Sequence, residues 1–533
     1  MRLEARIVEK TVISAMLDPK TPPDVVIRAE PRQPESDPTL GIPVQADRQS
    51  TPKHRLVTIG DSLTHGFQSG AIFQTHLSYA AMIAHELGWK DFRYPTYDSP
   101  GSGLPLNLES IARSLEMKYG GHLKWWEVPF GLLNVRSFLD RTEDFWEQGA
   151  GSQFSAQGEI NHNLAVYGWD LRNTMSRNAD ICLEVLRDNL PKDNFIKQTV
   201  AHHNERAAIR VLNTARNQEG QALSPLQAAQ ALSSEEIETL IIFIGSNNAL
   251  GSILTFKVEW SDVGYDDMNV NDRYTVWRPI HFQAELDLMV EQVKQIRARH
   301  VIWCTVPHVT IAPFARGVGE KVASESRYFP YYTQFWIKDK SFNSAKHPHL
   351  TANEARSIDS AIDQYNDAIV NVVREGRKQG RDWYLFEMVE LLDRLAARRF
   401  FDQPRVQPEW WVPYELPPAL QALKPVPDSR FFRSNAQGRL QGGLFSLDGI
   451  HATTIGYGII AEELIKIMQL AGVEFYDAQG QKRSRDVQID FDRLIALDTL
   501  ISQPPRLVED IINTIGWLDS VFSFMNGVLR ANY

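Results

Sequence analysis

Cysteine is almost absent: Cys182 and Cys304 are the only two in 533 residues. A disulfide framework and a thiolate metal site are therefore excluded, and both residues are expected as buried free thiols, Cys304 inside the apolar run Val301-Ile302-Trp303-Cys304-Thr305-Val306. Basic excess is absent too. Fifty-six Lys and Arg against 66 Asp and Glu leave a net charge of −10, which argues against a nucleic-acid surface and favours a neutral or apolar small molecule. Arg2, Glu4, Arg6, Glu9 and Lys10 interrupt any apolar core at the N-terminus, so no signal peptide is evident and a cytoplasmic location is expected. No membrane span is expected either: the long uncharged stretch Thr239 to Phe256 carries Ser246, Asn247, Asn248 and Ser252 in its middle. The pairs His202-His203 and His347/His349 lack accompanying Cys or acidic ligands, so they read as surface histidines, with no metal or cofactor implied.

What is present is an ordinary globular composition, 43% hydrophobic, with ample material for a core, and three short stretches that stand out. His54-Arg55-Leu56-Val57-Thr58-Ile59-Gly60 is an apolar run with β-branched members closed by glycine, followed by Asp61-Ser62-Leu63-Thr64. The pattern predicts a buried strand ending at a turn, with Ser62 where a helix begins. Open α/β sheets keep their ligand crevice at that end, and helix-start N–H groups favour developing negative charge. Ser62 is thus a candidate nucleophile, with a plain N-cap serine as the alternative. Leu240-Ile241-Ile242-Phe243-Ile244-Gly245-Ser246-Asn247-Asn248 is a second such strand, delivering an asparagine. Ser446-Leu447-Asp448-Gly449-Ile450-His451 sets a carboxylate and an imidazole three residues apart, ahead of a helical segment.

Gly60-Asp61-Ser62-Leu63, Gly245-Ser246-Asn247-Asn248 and Asp448-Gly449-Ile450-His451, in that chain order, resemble the first, third and fifth blocks of the SGNH/GDSL hydrolase family. Asn161 to Asn173, a short strand ending at Gly168 before a helix pattern, is similar to the second block, and Gly101 in Ser99-Pro100-Gly101-Ser102-Gly103 is the competing glycine. With Gly168, the second core strand follows the aromatic-rich insertion instead of preceding it.

The resemblance implies a three-layer α/β/α flavodoxin-like core with a parallel sheet, and a GDSL-type carboxylic ester hydrolase, an esterase or lipase, acting through an acyl-enzyme on Ser62. It implies Ser62, Asp448 and His451 as catalytic triad, with the N–H groups of Ser62 and Gly168 and the Asn247 side chain as oxyanion hole. Asp61 fixes the turn, and His65 is expected as a loop residue. Two departures stand out: Asn248 occupies the place of the family's usual aspartate, and Ala452 that of a frequent proline. No GxSxG elbow is evident, so the α/β-hydrolase arrangement matches poorly.

Along the chain, residues 1–52 read as an arm or linker, 53–475 as the hydrolase domain and 476–533 as a C-terminal helical extension. Insertions fall at about 91–160, 312–346 and 400–443. The first is rich in aromatics (Trp125, Trp126, Phe130, Phe138, Phe145, Trp146) and loosely patterned; these either pack a small core of their own or cover an acyl or aryl site. Helices are predicted over 78–88, 282–297 and 350–374 and after His451, with a helix start at Ser233-Ser234-Glu235-Glu236 and strands at 301–306 and 383–386. Pro504-Pro505 splits the tail into two helical patterns, the second carrying Trp517, Leu518, Val521, Phe522, Phe524 and Met525. Small-molecule or lipid esters are the expected substrates. Acyl transfer to an alcohol by the same acyl-enzyme, or a non-catalytic binding protein retaining the fold, are the alternatives.

Overall fold

The computed structural model describes residues 16–45, 51–97, 103–124, 126–189 and 200–515. Four strands, His54–Gly60 (β1), Ile237–Phe243 (β2), Ala298–Cys304 (β3) and Trp383–Phe386 (β4), form a parallel sheet in that order. Gly60 lies opposite Phe243, Ile242 opposite Trp303, and Cys304 opposite Phe386. On the other side of β1, residues 162–166 run parallel to it: Thr58 N–H donates to His162 O at 2.9 Å, Leu164 N–H to Thr58 O at 2.9 Å, and Val166 N–H to Gly60 O at 3.2 Å. The segment expected after the aromatic insertion thus extends the sheet, as a short irregular ladder.

Helices Ser62–His65 (α1), Tyr79–Glu86 (α2), Leu171–Ser176 (α3), His203–Leu212 (α4), Pro225–Leu232 (α5), Asn247–Thr255 (α6), Pro279–Val293 (α7), Ala352–Lys378 (α8), Met388–Leu395 (α9) and Thr454–Leu470 (α10) surround the sheet. Successive strand residues point to opposite faces, and the two faces build separate cores. Leu56, Ile241, Phe243, Ile302, Cys304, Tyr384 and Phe386 pack with α2, α9 and α10. Val57, Ile59, Leu240, Ile242, Val301, Trp303, Trp383 and Leu385 pack with α5, α7 and α8. Apolar runs without polar alternation are what a parallel sheet buried on both faces requires. Both cysteines are buried and free.

Part of the N-terminal arm closes the outer edge of β4: Pro38 O accepts the Leu385 N–H at 2.9 Å. The arm is held there by Arg32, which donates to Asp367 at 2.9 Å and to Glu387 at 3.1 Å. Covering an edge in this way removes a template for unwanted strand pairing.

Several local expectations change. Ser233-Ser234-Glu235 is a 3₁₀ turn at the end of α5, not a helix start, because Ser224 and Gln227 already supply the capping box one helix earlier. The first insertion, loosely patterned in sequence, holds helices Leu108–Tyr119 and Val128–Glu147; Pro129 sits in the latter's first turn, where a missing N–H costs nothing. Residues 312–346 are likewise more ordered than their irregular pattern predicts. They contribute Ala315–Val318 and Tyr331–Gln334 to an antiparallel sheet that His349–Thr351 completes. In the tail, helix Phe491–Leu497 packs on α10, and the Asp498 carboxylate accepts the Ile455 N–H at 2.9 Å. Trp125, Gly101, Trp517, Leu518, Val521, Phe522, Phe524, Met525 and the N-terminal charged residues lie outside the described residues. Among the described residues no helix is long and apolar enough to cross a membrane.

Candidate active site

Strand β1 has to end in glycine: a Cβ on Gly60 would lie 2.1 Å from Thr64 Oγ1 and 2.5 Å from Phe243 O. The chain then turns at Asp61, whose carboxylate accepts the Leu63 N–H at 3.2 Å and caps α1. Asp61 is fully buried, and that burial pushes its carboxyl up to about 6 against the pull of the Leu63 amide. Ser62 is thereby fixed as the first residue of α1, 6% exposed at the sheet's carboxyl end.

His451 Nε2 stands 2.9 Å from Ser62 Oγ, and His451 Nδ1 stands 3.0 Å from Asp448 Oδ2. An ionised carboxylate only accepts, so Nδ1 carries the proton and Nε2 is left to accept from the Ser62 hydroxyl. The link between them is short and rigid. Asp448 Oδ1 accepts the N–H groups of Ile450 and His451, each at 2.9 Å, and Oδ2 also accepts the Gly70 N–H at 2.9 Å. Gly449, at φ +69°, takes a conformation few residues tolerate, and a Cβ there would come within 3.0 Å of Phe431 and the Phe314 nitrogen. Burial alone would raise the Asp448 pKa, but His451 and these amides outweigh it and hold the carboxyl below its ordinary range.

Gly168 and Asn247 meet through Trp169. Val166 to Trp169 forms a turn in which Trp169 N–H donates to Val166 O at 3.3 Å and Gly168 sits third at φ +78°. The Asn247 amide donates to Trp169 O at 2.7 Å, leaving its second hydrogen to point elsewhere. Val166 and Phe243 both lie beside Gly60, so Ser62, Gly168 and Asn247 all follow the carboxyl ends of adjacent strands. Asn248 accepts the Leu171 N–H at 3.4 Å, while its own Nδ2 is buried without a hydrogen-bond partner.

The turn is clamped by residues that local reading passed over. Asn204 Nδ2 donates to Tyr167 O, and Asn204 Oδ1 accepts the Trp169 indole N–H at 2.8 Å. In a trans peptide the carbonyl and the following N–H point in opposite directions, so holding Tyr167 O on Asn204 aims the Gly168 N–H away from Asn204. His65 is not a loop residue. It ends α1 fully buried, its Nδ1 accepts the Tyr167 N–H at 3.2 Å, and its Nε2 contacts Tyr97 Oη at 3.0 Å. Burial pushes its imidazole down to about 3, so it stays neutral and acts as a strut. His203 is not a surface residue either: it is 3% exposed, with Nδ1 2.8 Å from Tyr167 Oη. Among the described residues no cluster of His, Cys, Asp and Glu has the makings of a metal site.

Ser62 and His451 open into a cleft of about 90 Å³ between α9 and α10, lined by Leu63, Leu250, Met388, Leu391, Leu395, Phe445, Ile459 and Ile460. The lining is mainly aliphatic, with Phe445 beside it, and none of the first insertion's described aromatics takes part. Trp146, 1% exposed, instead packs with Tyr97, Phe67 and Tyr167 in a core of their own. The arrangement can take the proton of a serine hydroxyl beside an apolar slot. No protein-family model, no curated protein and no solved structure matches this chain.

Proposed function

We propose that this chain is a serine hydrolase of the SGNH/GDSL type, with a flavodoxin-like core, that cleaves carboxylic esters with an apolar acyl group. The supporting observation is the relay from Ser62 Oγ through His451 to the buried Asp448, opening on a mainly apolar cleft. Ser62 Oγ attacks the ester carbonyl while His451 Nε2 takes its proton, and the carbonyl oxygen becomes negative beside the Ser62 N–H, the Gly168 N–H and the Asn247 amide. His451 then returns the proton to the departing alcohol, leaving the acyl group on Ser62. Water attacks in its turn, again giving a proton to His451, and the carboxylic acid leaves as Ser62 recovers its hydrogen. Asp448 keeps the imidazole tautomer and balances its transient charge.

Hydrolysis of p-nitrophenyl esters of increasing chain length by wild type and Ser62→Ala tests the reading. The expected result is turnover that rises from acetyl to medium acyl chains and falls at least about 10³-fold in the variant. Turnover only with an added alcohol acceptor would identify an acyltransferase. None at any chain length, with the wild type folded, would leave a binding protein.

A further inference from the structure

Between the antiparallel sheet of residues 315–351 and the turn Ala397–Phe401 lies a second cavity, of about 20 Å³, lined by Arg327, Arg398 and Arg399 with Thr310, Phe329 and Tyr332. It shares Ser429 with the apolar cleft, but its walls are cationic. We infer that this cavity binds one small inorganic anion of the size of chloride, held by Arg327 and Arg398.

Arg327 carries a charge with no ion-pair partner at close range among the described residues. Arg327 is 6% exposed, its Nε donates to Tyr328 Oη at 2.9 Å, and its Nη2 is buried without a hydrogen-bond partner. Among the described residues no carboxylate lies within ion-pair distance of Arg327, Arg398, Arg356 or Lys321. Arg398 donates to Gly317 O at 2.9 Å and Lys321 Nζ to Arg399 O at 2.8 Å, so each rests on a neutral carbonyl. Arg356 lies 4.5 Å over the Tyr328 ring.

The carboxylates nearby are largely taken up, with one oxygen of Asp363 left without a hydrogen-bond partner. Asp359 accepts from Arg399 at 2.8 Å, Thr310 at 2.5 Å and Tyr328 at 3.0 Å. Asp363 and Asp393 flank His308 at 3.1 and 3.2 Å. Lys321 aside, five cations, His308 among them, thus face three buried carboxylates, with Asp402 and Asp339 acting on Arg398 from nearer the surface, and a buried charge without a full counter-charge is unfavourable. The crowding registers on Lys321, which burial and then Arg399 and Arg398 push down to about 7.

Size decides the class of occupant. A space of this volume admits one water or a slightly larger monatomic ion, not a tetrahedral oxyanion or an organic acid. A water bridging Arg327 to Asp363 Oδ2, which is also unpartnered, is the competing occupant.

Two measurements on the full chain decide between them. Crystals soaked in sodium bromide should show an anomalous bromine peak inside this cavity. Thermal unfolding at equal ionic strength should give a higher Tm in sodium chloride than in sodium gluconate, by about 1–2 °C. Arg327→Gln should abolish that gap, and Arg398→Gln, at a half-buried position where folding is less at risk, should abolish it as well. A cavity peak with no bromine signal, equal Tm in both salts, or an undiminished gap in both variants would overturn the inference.

Discussion

At the scale of single residues, one peptide plane carries much of the argument. Asn204 uses both ends of its side chain, one on Tyr167 O and one on the Trp169 indole, and so sets the direction of the Gly168 N–H. If that N–H serves the oxyanion, its orientation matters more to the transition state than to the bound ester. Asn204→Leu is therefore expected to lower kcat by about 10- to 100-fold with KM nearly unchanged, measured on p-nitrophenyl esters with the variant's fold checked by circular dichroism. A raised KM at intact kcat would instead assign Asn204 to packing alone. Ser62, Asp448, His451 and Asn247 were legible because each sits in a short local pattern. Asn204 was not: it lies 35 residues from Trp169, in helix α4, and nothing in its neighbours points to that partner.

At the scale of elements, α9 and α10 form the walls of the apolar cleft, and on the proposed ester-hydrolase reading their side chains would set the length of acyl group that fits. Leu391 is buried and faces the cleft from α9. Leu391→Trp is expected to shorten the preferred chain, with each excluded methylene lowering kcat/KM by about fourfold, from roughly 0.8 kcal/mol of lost burial. A chain-length series on the variant checks this; acetyl ester turnover should change little.

Behind α9, His308 bridges Asp393 on that helix to Asp363 on α8. Burial would lower its pKa, but Asp393, Asp359 and Asp363 outweigh it and push it up to about 10. A raised folded-state value means that His308 contributes its full stability below the unfolded value near 6.5, and that this contribution is lost as pH rises toward about 10. The gap in unfolding free energy between wild type and His308→Gln should accordingly be widest below pH 6.5 and narrow steadily toward pH 10, as urea titrations at several pH values would record.

At the scale of the whole molecule, the parallel sheet is the organising device, since it carries residues far apart in sequence to one edge. Ser62 and His451 are 389 positions apart yet 2.9 Å apart in space. The strands themselves were readable from short apolar runs, closed by glycine in β1 and β2 and by other residues in β3 and β4, and so was the helix after His451, from its periodic Ile455, Ile459 and Ile460. The insertions were less so. Helix Val128–Glu147 was obscured by proline, and residues 315–334 looked irregular because their strands pair only with one another and with His349–Thr351, across a gap that sequence does not reveal.

By itself the sequence determined which short segments become buried strands and where each must turn, because apolar runs and obligatory glycines act over a few residues. It also set out the nucleophile, acid and imidazole as candidates. Tertiary structure alone decided the rest: that Trp146 of the aromatic insertion packs with Phe67 and Tyr167 while side chains of α9 and α10 line the cleft, that His65 and His203 are internal struts, and that cations outnumber buried carboxylates beside Arg327. Burial and electrostatic environment depend on neighbours brought in from distant positions, and no local pattern encodes those neighbours.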